Sequence, residues 1–256
     1  MAIAVPSEAR RGGNGRRRRA AQPLYQRIED TLRQRIKDGT YGPEDRLPSE
    51  SELMAAFTAS RVTVRQALQA LQASGLVLSR QGRGYFVLRP KAEQDLGRLQ
   101  GLGESVATHG HEAHSQVLSL RETAATRDVA RALQVDSGDT VVELTRLRFL
   151  NALPLSLDLS YFPLDIGRAL ARHDLVNNDV FVLLERELGL ALGIADLMID
   201  VDRADAVTAK HLGISEGDPV LQIERLTSVV DGRPVDFEYL IGRGDAYRFR
   251  VRVPRW

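Results

Sequence analysis

The sequence predicts an α+β protein in two parts, an N-terminal winged helix-turn-helix joined to a C-terminal domain built on an antiparallel sheet. Three observations predict it. Three apolar helical stripes and a glycine-tipped hairpin follow one another between residues 23 and 88. In the second part a helix-turn-hairpin pattern recurs at an offset of 79 residues. Charge divides with the pattern: residues 1–90 hold 16 Lys and Arg against 8 Asp and Glu, and residues 91–256 hold 19 against 26, so a net charge of +1 conceals a basic front and an acidic rear. A basic module for a polyanion joined to a module with another task is the expected organisation.

Composition removes several classes. The 256 residues are 43% hydrophobic, enough to fill real cores. No cysteine is present, which excludes disulfides and thiolate metal sites. The N-terminal "MAIAVPSEARRGG" has no apolar stretch of signal-peptide length, and no run approaches the ~20 apolar residues of a membrane helix. A cytoplasmic location without a membrane partner is expected. Residues 1–22, with the arginine-rich "RRGGNGRRRR", are expected to be a disordered basic tail.

The first helix starts at Pro23, whose fixed φ suits a first turn, and carries Leu24, Ile28, Leu32 and Ile36 on one face before Gly39 closes it. In "LPSESEL", Ser49 and Glu52 have capping-box spacing and open a short second helix with Leu53, Met54 and Phe57 inward. Ser60 caps the third helix, "RVTVRQALQAL", after a tight helix-turn-helix connection. Val64, Leu68 and Leu71 form its apolar back; Arg61, Arg65 and Gln69 form a donor-rich front without acids. Leu76–Arg80 and Tyr85–Leu88 read as a hairpin around "QGRG". In a winged helix the third helix enters the major groove, where arginine forks match guanine or phosphate. Arg61, Thr63 and Arg65, with Gln81, Gly82 and Arg83 at the wing, are therefore the candidate contacts to double-stranded DNA.

Residues 90–100 are polar and weakly patterned, a linker between the DNA-binding domain (23–89) and the second domain (101–256). In the repeat, "VARALQVDSGDTVVELTRLRF" parallels "VTAKHLGISEGDPVLQIERLTS", pairing Leu133 with Leu212, Gly138–Asp139 with Gly217–Asp218 and Arg146–Leu147 with Arg225–Leu226. Each copy continues into a second strand, with Pro154 and Pro234 aligned once one residue is inserted. Two such units are expected to pair as a pseudo-symmetric antiparallel sheet. Alternation is expected to seat Val142, Leu144 and Leu147 in the core and to set Arg146 and Arg148 on the other face, as solvated residues or as an anion clamp. Asp158, on the partner strand, is placed to pair with one of them.

The first module resembles the DNA-binding domain of the GntR family of bacterial transcription regulators through "DRLPSESEL", "SRVTVRQAL" and "RQGRGYFV". The resemblance implies that Ser51, Arg61, Thr63, Arg65 and Gly82 face DNA. Ser51 stands where many members have arginine, Glu44 where glycine is usual, and Thr58–Ala59 where Gly–Val is customary. The second module resembles the UTRA effector domain of the HutC subfamily, of chorismate-lyase-like fold, through "RLRFLNALPLSLDLSYFP", "DVFVLLERELGL" and "GRPVDFEYLIGRGDAYRF". It implies a homodimeric repressor that binds a palindromic operator and is modulated by a small metabolite. The ligand-facing positions so implied are Arg146, Arg148, Asp158, Asp179, Phe181 and Asp236. Members that bind sugar phosphates tend to have serine at Asp179 and tyrosine at Phe181, and an aspartate would repel a phosphate, so a small anionic or zwitterionic effector that is less anionic than a sugar phosphate or carries a cationic group is expected. Gly101 and Gly103 offer backbone amides to an anion or form a plain turn.

The histidines of "HGHEAH" (His109, His111, His114) fit no tight metal spacing and have no patterned carboxylate, so neither a metal nor a cofactor is expected. No nucleophile–base pair stands out. Asp158 and Asp236 are a conceivable acid/base dyad, but flanking arginines are expected to keep them ionised, and no enzyme is expected. A lyase-like activity and a DNA binder without an effector are the alternatives.

Overall fold

The computed structural model describes residues 22–107 and 111–255, in two units that meet between Arg89 and Pro90. The basic tail expected at residues 1–22 lies outside the described residues except for Gln22.

The first unit opens with helices α1 (Leu24–Lys37), α2 (Glu50–Phe57) and α3 (Arg61–Ala73). Their spacing buries Ile28, Leu32, Leu53, Val64, Leu68 and Leu71 together, each at most 1% exposed. Both expected caps form. Ser49 accepts from the Glu52 amide while the Glu52 carboxylate accepts from the Ser49 amide, and Ser60 Oγ accepts from the Thr63 amide. The wing pairs β1 (Val77–Arg80) with β2 (Gly84–Val87), antiparallel, and Arg46 bridges to Phe86 on the far side of β2.

Two departures from the family pattern carry a backbone cost. Glu44 and Thr58 both have positive φ, 72° and 50°, and Thr58 ends α2 in the left-handed conformation. A β-branched residue there sets its side chain against its own backbone, which glycine avoids.

The second unit is a six-stranded antiparallel sheet. Its strands are β4 (Ala113–Ala124), β5 (Thr140–Leu150), β6 (Leu153–Pro163), β7 (Leu192–Arg203), β8 (Pro219–Val229) and β9 (Pro234–Arg243), in the order β4-β5-β6-β9-β8-β7. That order is a palindrome of the repeat. Helices α5 (Arg127–Leu133) and α8 (Ala206–Leu212) occupy equivalent places, capped by Thr126 and Asp205 and each ended by a left-handed residue, Gln134 and Gly213. The repeat is longer than sequence alone shows, because β4 and β7 also stand 79 residues apart at both ends.

Both faces of the sheet are covered, which corrects one expectation. Helix α5 packs on Val141 and Phe237, and α8 on Leu147 and Val220. On the opposite face α6 (Leu164–Leu170) and α7 (Val180–Arg186) pack on Leu144, Phe162 and Val235. Val142, Leu144, Arg146 and Arg148 alternate along one unbroken stretch of β5, so the arginines share a face with Val142 and Leu144 rather than opposing them, and Leu147 points the other way. When both faces are buried, polarity no longer marks the solvent side.

The segment 90–100 is more than a linker. Within it β3 (Ala92–Asp95) pairs in parallel with β10 (Tyr247–Arg250), and Ala92 is fully buried. Four polar-looking residues carry little periodicity, and the partner strand lies at the other end of the chain. Helix α4 (Leu102–Ala107) follows and buries Leu102 and Val106 against Leu150, Leu155 and Leu240.

Replacing Thr58 by glycine should stabilise the first unit by about 1 kcal/mol, since the left-handed cap would no longer carry a β-branched side chain; the midpoint of chemical unfolding of the variant measures it.

Candidate functional site

On α3 the buried back fixes what the front presents. Val64, Ala67, Leu68 and Leu71 are wholly buried, whereas Arg61, Val62, Arg65, Gln66 and Gln69 are exposed. Arg65 Nε donates to Glu50 Oε1 at 2.9 Å, and Arg61 Nε lies 3.8 Å from Glu50 Oε2. One carboxylate on α2 thus restrains both guanidinium groups from the side while leaving their outer edges in solvent. Thr63 is half-buried, its hydroxyl 2.9 Å from that of Ser60. Ser51 is exposed on α2, and Gln81, Gly82 and Arg83 are exposed at the wing, where Gly82 has φ 71°.

The second cluster is buried. Strand pairing sets Arg146 opposite Asp158 and Arg225 opposite Glu238. These pairs are equivalent under the repeat, and β6 and β9 bring them together at its centre. Arg146, Asp158, Asp236 and Glu238 are at most 2% exposed. Arg225 bonds to Glu238 and lies over the Phe181 ring, 4.6 Å from its centroid. Arg148 bonds to Asp179 and lies 3.8 Å from Asp158, which accepts at 2.6 Å from Ser156 Oγ. Asp179 precedes α7 but does not cap it; its Oδ2 accepts instead from the Gly103 amide at 2.6 Å. Nε and Nη1 of Arg146, and Oδ1 of Asp236, have no hydrogen-bond partner among the described residues. Gly101, Arg146, Arg148, Asp179, Phe181 and Asp236 line one cavity of about 10 Å³, room for roughly one water.

Every position expected to face a ligand thus falls in or beside one cluster, Asp158 and Gly103 behind the others. The arginines are not solvated.

Residues 108–248 match the UTRA domain, and residues 24–87 match the bacterial regulatory proteins of the gntR family. The chain belongs to the GntR family. It is 31% identical to the HTH-type transcriptional repressor NagR of Bacillus subtilis (strain 168), over 89% of this chain and 93% of the relative. To the histidine utilization repressor of Pseudomonas putida it is 32% identical, over 91% and 93%. Among solved structures, PhnF from Mycobacterium smegmatis superposes with a TM-score of 0.64 at 26% identity, covering 90% of this chain and all of that one. The protein is a transcription regulator of the GntR/HutC type, with the α+β architecture expected of it.

For a GntR regulator, the sequence reading omits three residues that the structure puts beside the candidate positions: Glu50, Arg225 and Glu238. Shifting Arg146 by the repeat offset points to Arg225, and shifting Asp158 by one residue more points to Glu238. No such signal marks Glu50. No cluster of histidine and carboxylate side chains that could hold a metal occurs among the described residues. His109 lies outside them, His111 Nδ1 is 3.0 Å from Asn151 Nδ2, and His114 stacks on Phe149.

The expectation that arginines keep both Asp158 and Asp236 ionised is corrected by depth at Asp236, while Asp158 stays largely ionised at neutral pH. Burial, reinforced by Glu238, pushes the Asp158 carboxyl up to about 6 and that of Asp236 up to about 8, against the opposing pull of the arginines. Burial, and Arg148 beside it, lower the Arg146 guanidinium. Burial opposes the charge on Arg148 as well, but Asp179 and Asp158 outweigh it and raise its pKa.

An unfolded aspartate loses its proton near 3.8, whereas folded Asp236 keeps it to about 8. Its contribution to stability is therefore whole below the lower value and declines as pH rises towards the upper one, by up to about 1.4 kcal/mol per pH unit. Asp236→Asn should accordingly lose less stability than the parent between pH 5 and pH 8, as read by urea unfolding.

Proposed function

We propose that this GntR regulator is a cytoplasmic homodimeric repressor that binds a palindromic operator through α3 and the wing and is released by a small metabolite at the buried arginine–carboxylate cluster. One observation carries the reading: the same chain holds an exposed, pre-aligned Arg61/Arg65 front and, in its other unit, a buried Arg146 whose Nε and Nη1 lack partners among the described residues. A buried guanidinium with unmet donors is costly, and an acceptor on a ligand would relieve that cost. Solvent-facing arginine forks beside a glycine-tipped wing suit base edges and phosphates. Val62, 76% exposed beside Arg61, offers an apolar surface to a thymine methyl.

Half-sites about one helical turn apart would suit a two-fold dimer. The outer strand β7 supports self-association, since it exposes Ile194, Met198 and Val201 along an unpaired edge. No helix among the described residues is long and apolar enough to cross a membrane. The effector acts by preferring one arrangement of the second unit over another, and it leaves chemically unchanged; the cluster binds rather than catalyses.

Arg65→Ala should weaken operator binding by roughly 5- to 100-fold, the range for one base-reading arginine, and leave effector binding intact. Arg146→Ala should keep operator binding and lose effector release. Operator titrations at fixed salt, with and without effector, separate the two; loss of both activities in each variant would indicate unfolding and sink the assignment.

A further inference from the structure

Asp179 does something unusual for its position. The residue before a helix normally turns its side-chain oxygen back onto that helix, as Ser49, Ser60, Thr126 and Asp205 do here. Asp179 leaves α7 uncapped and reaches the Gly103 amide, 76 residues away in sequence, and Arg148. Its carboxylate rests directly on two glycines. A β-carbon at Gly101 would come within 2.7 Å of Asp179 Cγ, and one at Gly103 within 2.6 Å of Oδ2. A backbone amide, two close-approach glycines and a buried arginine make a cradle for one anion. The protein fills that cradle with its own.

Around the cavity stand Arg146, Arg148 and Arg225 with Asp179, Asp236 and Glu238, and Asp158 lies behind them. With Asp236 holding its proton, three carboxylates balance three guanidinium groups, so a doubly charged phosphoryl group would enter a cavity that holds no surplus of positive charge and whose strongest anion subsite is taken. Among the described residues the buried atoms without a hydrogen-bond partner include two N–H groups of Arg146 and one oxygen of Asp236, beside Nε of Arg148 and of Arg225, Asp158 Oδ2 and Thr227 Oγ1.

We propose that Asp179 determines ligand specificity by acting as a built-in occupant of the Gly101–Gly103/Arg148 subsite. Phosphorylated ligands are excluded, and the site takes a monocarboxylate that also carries an N–H or O–H donor, of the amino-acid type, with its carboxylate on Arg146 and its donor on Asp236. This rests on the reading of the cluster as the effector site, and it requires the cavity of about 10 Å³ to widen as the ligand enters.

The test uses the full chain and two variants, Asp179→Ala and Asp179→Ser; serine keeps a side-chain cap for α7. Thermal shift and calorimetric titration are run with sodium formate, sodium phosphate and glucose 6-phosphate, against sodium chloride at equal ionic strength. The parent should show no shift beyond that of chloride. Asp179→Ala should gain a formate-dependent rise in melting temperature, formate replacing the lost carboxylate. Asp179→Ser should bind phosphate at least tenfold more tightly than the parent. Phosphate or glucose 6-phosphate raising the melting temperature of the parent beyond the chloride control would overturn the proposal, and that arm requires no variant to fold. So would variants with parental circular dichroism that gain no anion binding. The regulator reading fails separately: it falls if L-amino acids and the phosphate probes alike never alter operator binding by the parent or by Asp179→Ser.

Discussion

Charge withdrawn from water has to be answered by charge, and the second unit is arranged around that requirement. Removing a single ion from solvent costs several kcal/mol even after relaxation. Here three arginines and four acids are gathered between the sheet and the helices above it. The register of four strands supplies most of the answers. Arg146 meets Asp158 across β5 and β6, and Arg225 meets Glu238 across β8 and β9. A slip of one residue in any of these pairings would turn a charged side chain towards the apolar faces of α5 or α8. The buried charges thus specify one register strongly.

The duplicated architecture explains why the cluster lies where it does. Two strand–helix–hairpin units meet along β6 and β9, and each contributes an arginine and an acid to the shared centre. The insertion of α6 and α7 between β6 and β7 breaks the symmetry. It brings Asp179 and Phe181 to the cluster from above, with no counterpart from the other unit. A symmetric charge pattern thereby acquires an asymmetric cover.

Much of this was legible in the residues. The three helices, both serine caps and the hairpin follow from local spacing and capping chemistry, which act within a few residues. The repeat exposed the sheet because Gly-Asp turns and Arg-Leu pairs recur at one offset. Parity was harder. On β5 the change from apolar to charged along Val142–Leu144–Arg146–Arg148 suggests a change of face, yet period-two alternation points all four side chains the same way, and helices on both sides of the sheet remove polarity as a guide to the faces. Depth was invisible too: an arginine beside an aspartate gives the same letters on a wet surface as in a dry interior, but only the interior lifts the Asp236 carboxyl to about 8. Glu50 reads simply as an acid in a first helical turn until α2 and α3 are placed together.

The pairing of β3 with β10 ties the opening of the second unit to the last residues of the chain. Tyr247 also reaches inward and donates to Ser156 Oγ at 3.3 Å. A stop codon after Asp245 would thus do harm far from where it falls: it would leave residues 92–95, the first strand beyond the DNA-binding unit, without a partner. The carboxyl end of this protein thus holds down the entry strand of its second unit.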